Sequence, residues 1–187
     1  MVYLGTPGFF LTHSPELARL LHARDERAWI QQKFLDILDI SVPDSCVVQI
    51  SLNIPGIPKR IEGDSGAIIE ARNIFLAELG IKPVFEASLS NYSGLAIIMA
   101  YSGTSCHTIK KIAVETEECG EAGRVFDIDV ITRLGQISRA DLGMNPRKCI
   151  LCAEDAKVCA RAQRHPAIEV RSVIRNLLSG FLSVSTD

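Results

Sequence analysis

The chain has 187 residues, is 47% apolar and 22% charged, and carries a formal net charge of −2. That length suits one ordinary domain, the composition is that of a globular protein, and no apolar run is long enough to cross a bilayer. The segment from Met1 to Leu11 is apolar but lacks a basic leader, so a secretory signal is not expected and the cytoplasm is the expected location.

The first predicted helix opens at Ser14-Pro15-Glu16, with serine as the cap and proline in the first turn, and runs to about Leu38. Its apolar positions, expected to face the core, are Leu17, Leu20, Leu21, Ala28, Phe34, Leu35 and Leu38; Arg24, Arg27, Gln31 and Gln32 lie between them. A strand from Cys46 to Ile54 runs into the Pro-Gly loop Asn53-Ile54-Pro55-Gly56-Ile57-Pro58-Lys59. A second helix, about Ser65 to Leu79, stops at Gly80. Strands near Val84–Leu89 and Leu95–Tyr101 flank the turn Asn91-Tyr92-Ser93-Gly94, and a third helix spans from about Thr104 to just before Gly120. A strand from Arg124 to Thr132, a short strand or turn at Gln136–Ser138, and a helical tail broken at His165-Pro166 complete the chain. The expected fold is a single α+β domain: a mainly antiparallel or mixed sheet with packed helices, residues 1–13 forming an extension ahead of it.

Chemistry concentrates in Gly123-Arg124-Val125-Phe126-Asp127-Ile128-Asp129-Val130. Alternation along a strand points Asp127 and Asp129 to one face. Two neighbouring carboxylates in an apolar run repel each other unless a cation or proton lies between them, which suits a divalent metal, most often Mg²⁺, held against a substrate phosphate. An edge strand with both aspartates in water is the plainer reading. The loop at Gly56 and Lys59 could offer backbone N–H groups and one cation to a phosphate, or be only a tight turn.

Cys149, Cys152 and Cys159, followed by His165, have the makings of a Cys₃His zinc site. An expected helix from Glu154 to Arg164 does not obviously bring all four together, and small buried packing cysteines are the alternative. Between residues 133 and 175 the chain bears Arg133, Arg139, Arg147, Lys148, Lys157, Arg161, Arg164, Arg171 and Arg175 against Asp141, Glu154, Asp155 and Glu169. Such a balance suits a polyanionic ligand or an acidic protein partner, or is a solvated helix face. Aromatic residues do not interleave with these cations, so nucleic acid is not an expected partner.

Taken in order, several motifs resemble one family over roughly residues 17 to 175. They are Leu21-His22-Ala23-Arg24-Asp25-Glu26-Arg27-Ala28 with Gln31-Gln32; Leu52-Asn53-Ile54-Pro55-Gly56 with Lys59; the Gly123–Val130 segment; Ser138-Arg139-Ala140-Asp141-Leu142-Gly143; Pro146-Arg147-Lys148-Cys149; and Cys152 through Asp155-Ala156-Lys157-Val158-Cys159-Ala160-Arg161 with Arg164-His165. The family is that of the apo-citrate lyase phosphoribosyl-dephospho-CoA transferases, also called citrate lyase holo-acyl-carrier-protein synthases. Glu121-Ala122 depart from its pattern, where a proline and a large apolar residue are more usual.

The resemblance implies transfer of 2′-(5″-phosphoribosyl)-3′-dephospho-CoA from its triphosphate precursor to a serine of the apo acyl-carrier subunit of citrate lyase, with loss of diphosphate. This is a nucleotidyl transfer, and it implies a nucleotidyltransferase-like role for the strand bearing Asp127 and Asp129 as Mg²⁺ ligands. Arg124 would then sit at the mouth of the strand in reach of phosphate; Gly56, Lys59, Arg147 and Lys148 become further substrate contacts; and Arg161, Arg164 and His165 would meet either phosphate or the acidic carrier. His107, His165, Glu115 and an aspartate near the metal are the open choices for a general base. Transfer to the carrier subunit of malonate decarboxylase, and a non-catalytic module built on zinc at Cys149, Cys152, Cys159 and His165, are the competing readings.

Overall fold

A computed structural model describes residues 14–42 and 44–181; the expected extension 1–13 lies outside them. The first helix, α1 (Pro15–Ile37), begins as expected, with the Ser14 side chain accepting the Leu17 N–H at 3.1 Å. It is followed by β1 (Cys46–Leu52), α2 (Asp64–Leu79), β2 (Phe85–Asn91), β3 (Gly94–Tyr101) and α3 (Cys106–Glu118). A helical turn α4 (Gly120–Gly123), β4 (Phe126–Thr132), β5 (Gly135–Ile137), α5 (Ala156–Arg161) and α6 (Ala167–Leu178) follow. The strands form one fully antiparallel five-stranded sheet in the order β2-β3-β1-β4-β5, so the fold is α+β as expected.

Alternation divides β1 and β4 between two faces. Cys46, Val48 and Ile50 of β1, with Phe126, Ile128 and Val130 of β4, point into the main core, where Ala67, Ala71 and Phe75 of α2, Ile109 and Ala113 of α3, and Ile174 and Leu178 of α6 cover them. On the opposite face Val47 packs with Ile98, Ala100, Leu35 and Leu38. The apolar packing of α1 on that face comes from its second half. Leu17, Leu21 and Ala28, expected in the core, are exposed, whereas Leu20, Ala23 and Leu35 are buried. The polar remainder of the face is left as a recess beneath the middle of α1, between Leu20 and Gln31. No helix among the described residues is long and apolar enough to cross a membrane.

Three boundaries differ from expectation for local reasons. β1 stops at Leu52, not Ile54, because the Asn53 N–H turns to the Val125 carbonyl at 2.9 Å and the Ile54 N–H to Leu52 at 3.0 Å. β4 starts at Phe126, not Arg124: the Arg124 and Val125 N–H groups donate to Glu121 and Ala122 and close the α4 turn. A Cβ on Gly123 would lie 2.9 Å from the Glu117 carbonyl, so glycine lets this turn approach the end of α3. The helix expected over Glu154–Arg164 is only Ala156–Arg161, capped by the Asp155 side chain, which accepts from the Lys157 N–H at 2.7 Å.

Candidate functional site

The register of β1 against β4 sets Gln49 opposite Asp129 and Ser51 opposite Asp127. Both carboxylates thus stand on the polar part of the sheet face under α1, half-buried in the fourth of five strands, paired with β1 on one side and beyond the reach of β5 on the other. A cavity of about 370 Å³ opens there, bounded by Asp127, Asp129, Gln49 and Ser51 below and by Arg24, Arg27 and Lys59 around it. Arg27 reaches across from α1 to the β2–β3 hairpin, donating through Nη2 to the Ser93 carbonyl at 2.9 Å and the Leu95 carbonyl at 3.2 Å. Its Nε is buried without a partner among the described residues. Gln31 donates to Gln49 at 2.8 Å, and Asn91 donates to the Ala23 carbonyl at 2.8 Å, so α1 is fastened to the sheet by polar contacts along this stretch.

Lys59 comes from the loop after β1, and its Nζ donates to the Ile54 carbonyl at 2.7 Å. Arg171 of α6 holds the same loop by donating to the carbonyls of Pro55, Pro58 and Arg60. Gly56 provides the left-handed corner, with φ of 70°. The loop also requires the glycine of the hairpin: a Cβ on Gly94, at φ of 97°, would come within 2.6 Å of the Lys59 carbonyl.

The outer edge of β4 beside the two aspartates is closed by side chains of α3. Because β5 pairs only with residues 130–132, the Ile128 N–H and C=O lack a strand partner. Glu117 accepts that N–H at 2.8 Å, and Lys110 donates to that carbonyl at 2.8 Å. Glu117 is buried, and its charge is met by Arg139 at 2.6 Å and Arg147 at 2.9 Å. Arg147 also donates to the Phe126 carbonyl at 2.6 Å. Lys110, Glu117, Arg139, Arg147 and Gln136, which donates to Asp129, line a second cavity of about 470 Å³ that shares Asp127 and Asp129 with the first.

The two carboxylates are electrostatically uneasy. Burial, followed by the charge of Asp127, pushes the Asp129 carboxyl up to about 6. Burial also raises Asp127, against the pull of Arg147. Across the cavity the cations strain the other way: Arg27 is lowered by burial and then by Arg24, and Lys59 by burial and then by Arg24, Arg171 and Arg27. Paired carboxylates with hard oxygen donors fit Mg²⁺, and the facing cations, one with an unpartnered donor, fit a polyphosphate.

The other expected site residues are distributed around this centre. Arg147 borders the second cavity; Arg124 does not reach either, its Nη2 donating to the Cys149 carbonyl at 2.7 Å in a third cavity of about 530 Å³. Lys148 and His165 line that third cavity as well, which meets the other two at Asn53. Arg161 and Arg164 are exposed on and just after α5. His107 borders a separate recess near Asp141, and Glu115 forms an exposed pair with Lys111, so neither stands at the aspartates. Sequence reading assigned no role to Arg24, Arg27, Lys110 or Glu117. Lys110 and Glu117 are seven residues apart on one helix, a spacing that puts both on one face and could have been read. Arg27 could not, since its partners lie more than sixty residues away.

Comparison with known proteins agrees with these motifs. A family model described as apo-citrate lyase phosphoribosyl-dephospho-CoA transferase matches residues 15–181. The chain is 33% identical over 172 residues to Protein CitXG of Leuconostoc mesenteroides subsp. cremoris, covering 89% of this chain but only 36% of that relative. It is 32% identical over 184 residues to a probable apo-citrate lyase phosphoribosyl-dephospho-CoA transferase of Streptococcus pyogenes serotype M5 (strain Manfredo), covering 94% of this chain and 91% of the relative. To the apo-citrate lyase phosphoribosyl-dephospho-CoA transferase of Escherichia coli O1:K1 / APEC it is 27% identical over 179 residues, at 92% and 93% coverage.

Proposed function

The chain belongs to the apo-citrate lyase phosphoribosyl-dephospho-CoA transferase family, and from that premise we propose that it moves the phosphoribosyl-dephospho-CoA group from its triphosphate precursor to a serine of the apo acyl-carrier subunit of citrate lyase. The serine hydroxyl releases its proton to solvent as its oxygen bonds to the α-phosphorus, the bond from that phosphorus to the bridging oxygen breaks, and diphosphate leaves with the electron pair. The observation that carries this reading is the facing of Asp127 and Asp129 by Arg24, Arg27 and Lys59 across one cavity. Asp127 and Asp129 would hold Mg²⁺, which when bound would neutralise the triphosphate and ease departure of diphosphate. Arg27, anchored through Nη2 to the β2–β3 hairpin, lends its charge to the cavity, and Lys59 and Arg24 add theirs beside it. Gln136 orients the Asp129 carboxylate by donating to it, and Gln49 and Ser51 complete the polar floor beside the two aspartates.

The direct test incubates the protein with the triphosphate precursor, Mg²⁺ and the apo-carrier, and follows the intact mass of the carrier. The expected result is a mass gain of one prosthetic group on a serine, dependent on Mg²⁺ and accompanied by diphosphate. Modification of the malonate decarboxylase carrier in preference would assign the other acceptor. A carrier left unmodified by folded protein under all these conditions would reject the reading.

Docking of the carrier has its own expected signature. Arg161 and Arg164 are exposed, Arg164 lying 4.0 Å from Glu154 in a loose surface pair that contributes little to stability. They are placed to steer an acidic carrier. Reversing both to Glu should chiefly raise the KM for the apo-carrier, and salt should weaken wild-type docking. Slow hydrolysis of the precursor, which needs no carrier, should change much less. Equal loss of both activities would put these arginines on the triphosphate.

A further inference from the structure

We propose that Cys149, Cys152, Cys159 and His165 bind one zinc ion in a closed, structural site. Each residue offers one ligand atom, and the four atoms lie within 4.8 Å of one another. Cys152 Sγ is 3.5 Å from Cys159 Sγ and 3.3 Å from His165 Nε2. Zinc bonds of about 2.3 Å to sulfur and 2.0 Å to nitrogen give a tetrahedron with edges of roughly 3.5–3.8 Å, so these spacings need only small adjustments around an ion. Among the described residues this is the one group of three or more such side chains gathered in this way. Cys46 and Cys106, which also neighbour each other in the core, belong to no such group among the described residues.

The local chain is shaped for the purpose. The Cys149 N–H donates to the Glu154 carbonyl at 2.7 Å and the Ala156 N–H to the Arg147 carbonyl at 2.9 Å, with Lys148 bridged to Asp155. This tight loop presents Cys149 and Cys152. Because α5 starts only at Ala156 and ends at Arg161, Cys152 precedes the helix, Cys159 projects from its last turn, and His165 returns after it. The shortened helix is what permits convergence. The Arg164 N–H, donating to the Cys159 carbonyl at 3.1 Å, turns the chain so that His165 comes back to the sulfurs. All four zinc positions would be filled by protein, which leaves no open position for a substrate or water and marks the site as structural.

The ion would also brace the neighbouring cavities. Arg124 is tied to the carbonyl of Cys149, and Arg147, two residues earlier, is tied to β4 and Glu117. Cys149, Cys159 and His165 form part of the wall of the 530 Å³ cavity. The proposal stands independently of the transferase reading carried by Asp127, Asp129, Arg24, Arg27 and Lys59, since none of these belongs to the cluster and the metal is of different chemistry.

The test is metal analysis of the full chain purified without chelator or added metal. One zinc per chain is expected, retained in Asp129→Asn and lost in Cys159→Ser and in His165→Ala. Exchange with Co²⁺ should give a thiolate-to-cobalt charge-transfer band and the visible bands of a tetrahedral ion. Chelation should lower the Tm of the wild type by roughly 10 °C or more, with recovery on adding Zn²⁺ but not Mg²⁺. That measurement needs no variant to fold. Wild-type protein that is folded, reduced and free of zinc would overturn the proposal. So would a Cys152–Cys159 disulfide in the freshly purified protein, or iron with acid-labile sulfide in place of zinc. Loss of transfer in Asp129→Asn with zinc intact would separate failure of one centre from failure of the other.

Discussion

Replacing Asp129 with Asn should make the metal-free protein more stable and at the same time cost it on the order of 10²-fold or more in transfer. In the unfolded chain an aspartate ionises near pH 4, whereas in the fold Asp129 holds its proton up to about 6, first because it is buried and then because Asp127 is charged beside it. Below that window both states are protonated and ionisation exerts no penalty. As pH rises through it, the unfolded state ionises first, and stability falls until the folded carboxyl has ionised too. At pH 7–8 the full cost applies, at about 1–2 kcal/mol once partial exposure is allowed for. Asn removes the charge and can still accept the hydrogen bond from Gln136. The Tm of the variant without divalent ions should therefore rise by a few degrees at pH 7.5 and by little near pH 3.5. Mg²⁺ should raise the Tm of the wild type more than that of the variant. A folded variant with near-normal transfer would remove Asp129 from metal binding. A variant less stable than wild type at pH 7.5 would show that the carboxylates are satisfied by their surroundings and do not strain against them.

What could be read from sequence follows the range over which each feature is determined. That Asp127 and Asp129 share a face is a two-residue matter of strand alternation, and the structure places them so. The hairpin at Asn91–Gly94 and the stop of α2 at Gly80 are likewise local chemistry. The first helix was legible as a helix but not in its orientation. Its apolar residues do not define a single stripe, and which of them is buried depends on the sheet beneath: Leu35 and Leu38 meet Val47 and Ile98, whereas Leu17 and Leu21 have no such partners and stay exposed. The same tertiary fact turns Arg24 and Arg27 from apparent surface residues into the wall of a cavity. The four residues of the Cys₃His cluster were visible as residue types, but their convergence was obscured by a helix expected to be longer than it is. Asp155 as cap starts that helix later, and its early end frees His165.

Glu117→Ala should be the most destabilising single change at the site, costing roughly 3–5 kcal/mol. The carboxylate is buried and serves three donors at once: the Ile128 N–H, Arg139 and Arg147. Removing it leaves the largely buried Arg147 guanidinium short of its counter-charge, Arg139 with only the exposed Glu118, and a strand-edge N–H without an acceptor, and an unmatched buried charge costs more than the pair itself was worth. Ile128 lies between the two aspartates, so Glu117 and Lys110 fix the strand segment on which both carboxylates depend. Glu117→Gln keeps an acceptor for Ile128 while losing the charge, and should fall between wild type and Ala in stability. Transfer per folded molecule should also drop in both variants, because Arg147 and the β4 edge are no longer held against each other, and the loss should appear in kcat more than in the KM for the carrier. Chemical unfolding and transfer kinetics on the same preparations check this. A loss below about 1 kcal/mol in Glu117→Ala would mean that solvent reaches the two arginines. A large loss of stability with transfer per folded molecule unchanged would confine Glu117 to holding the fold and leave the aspartates to be positioned by β1 alone.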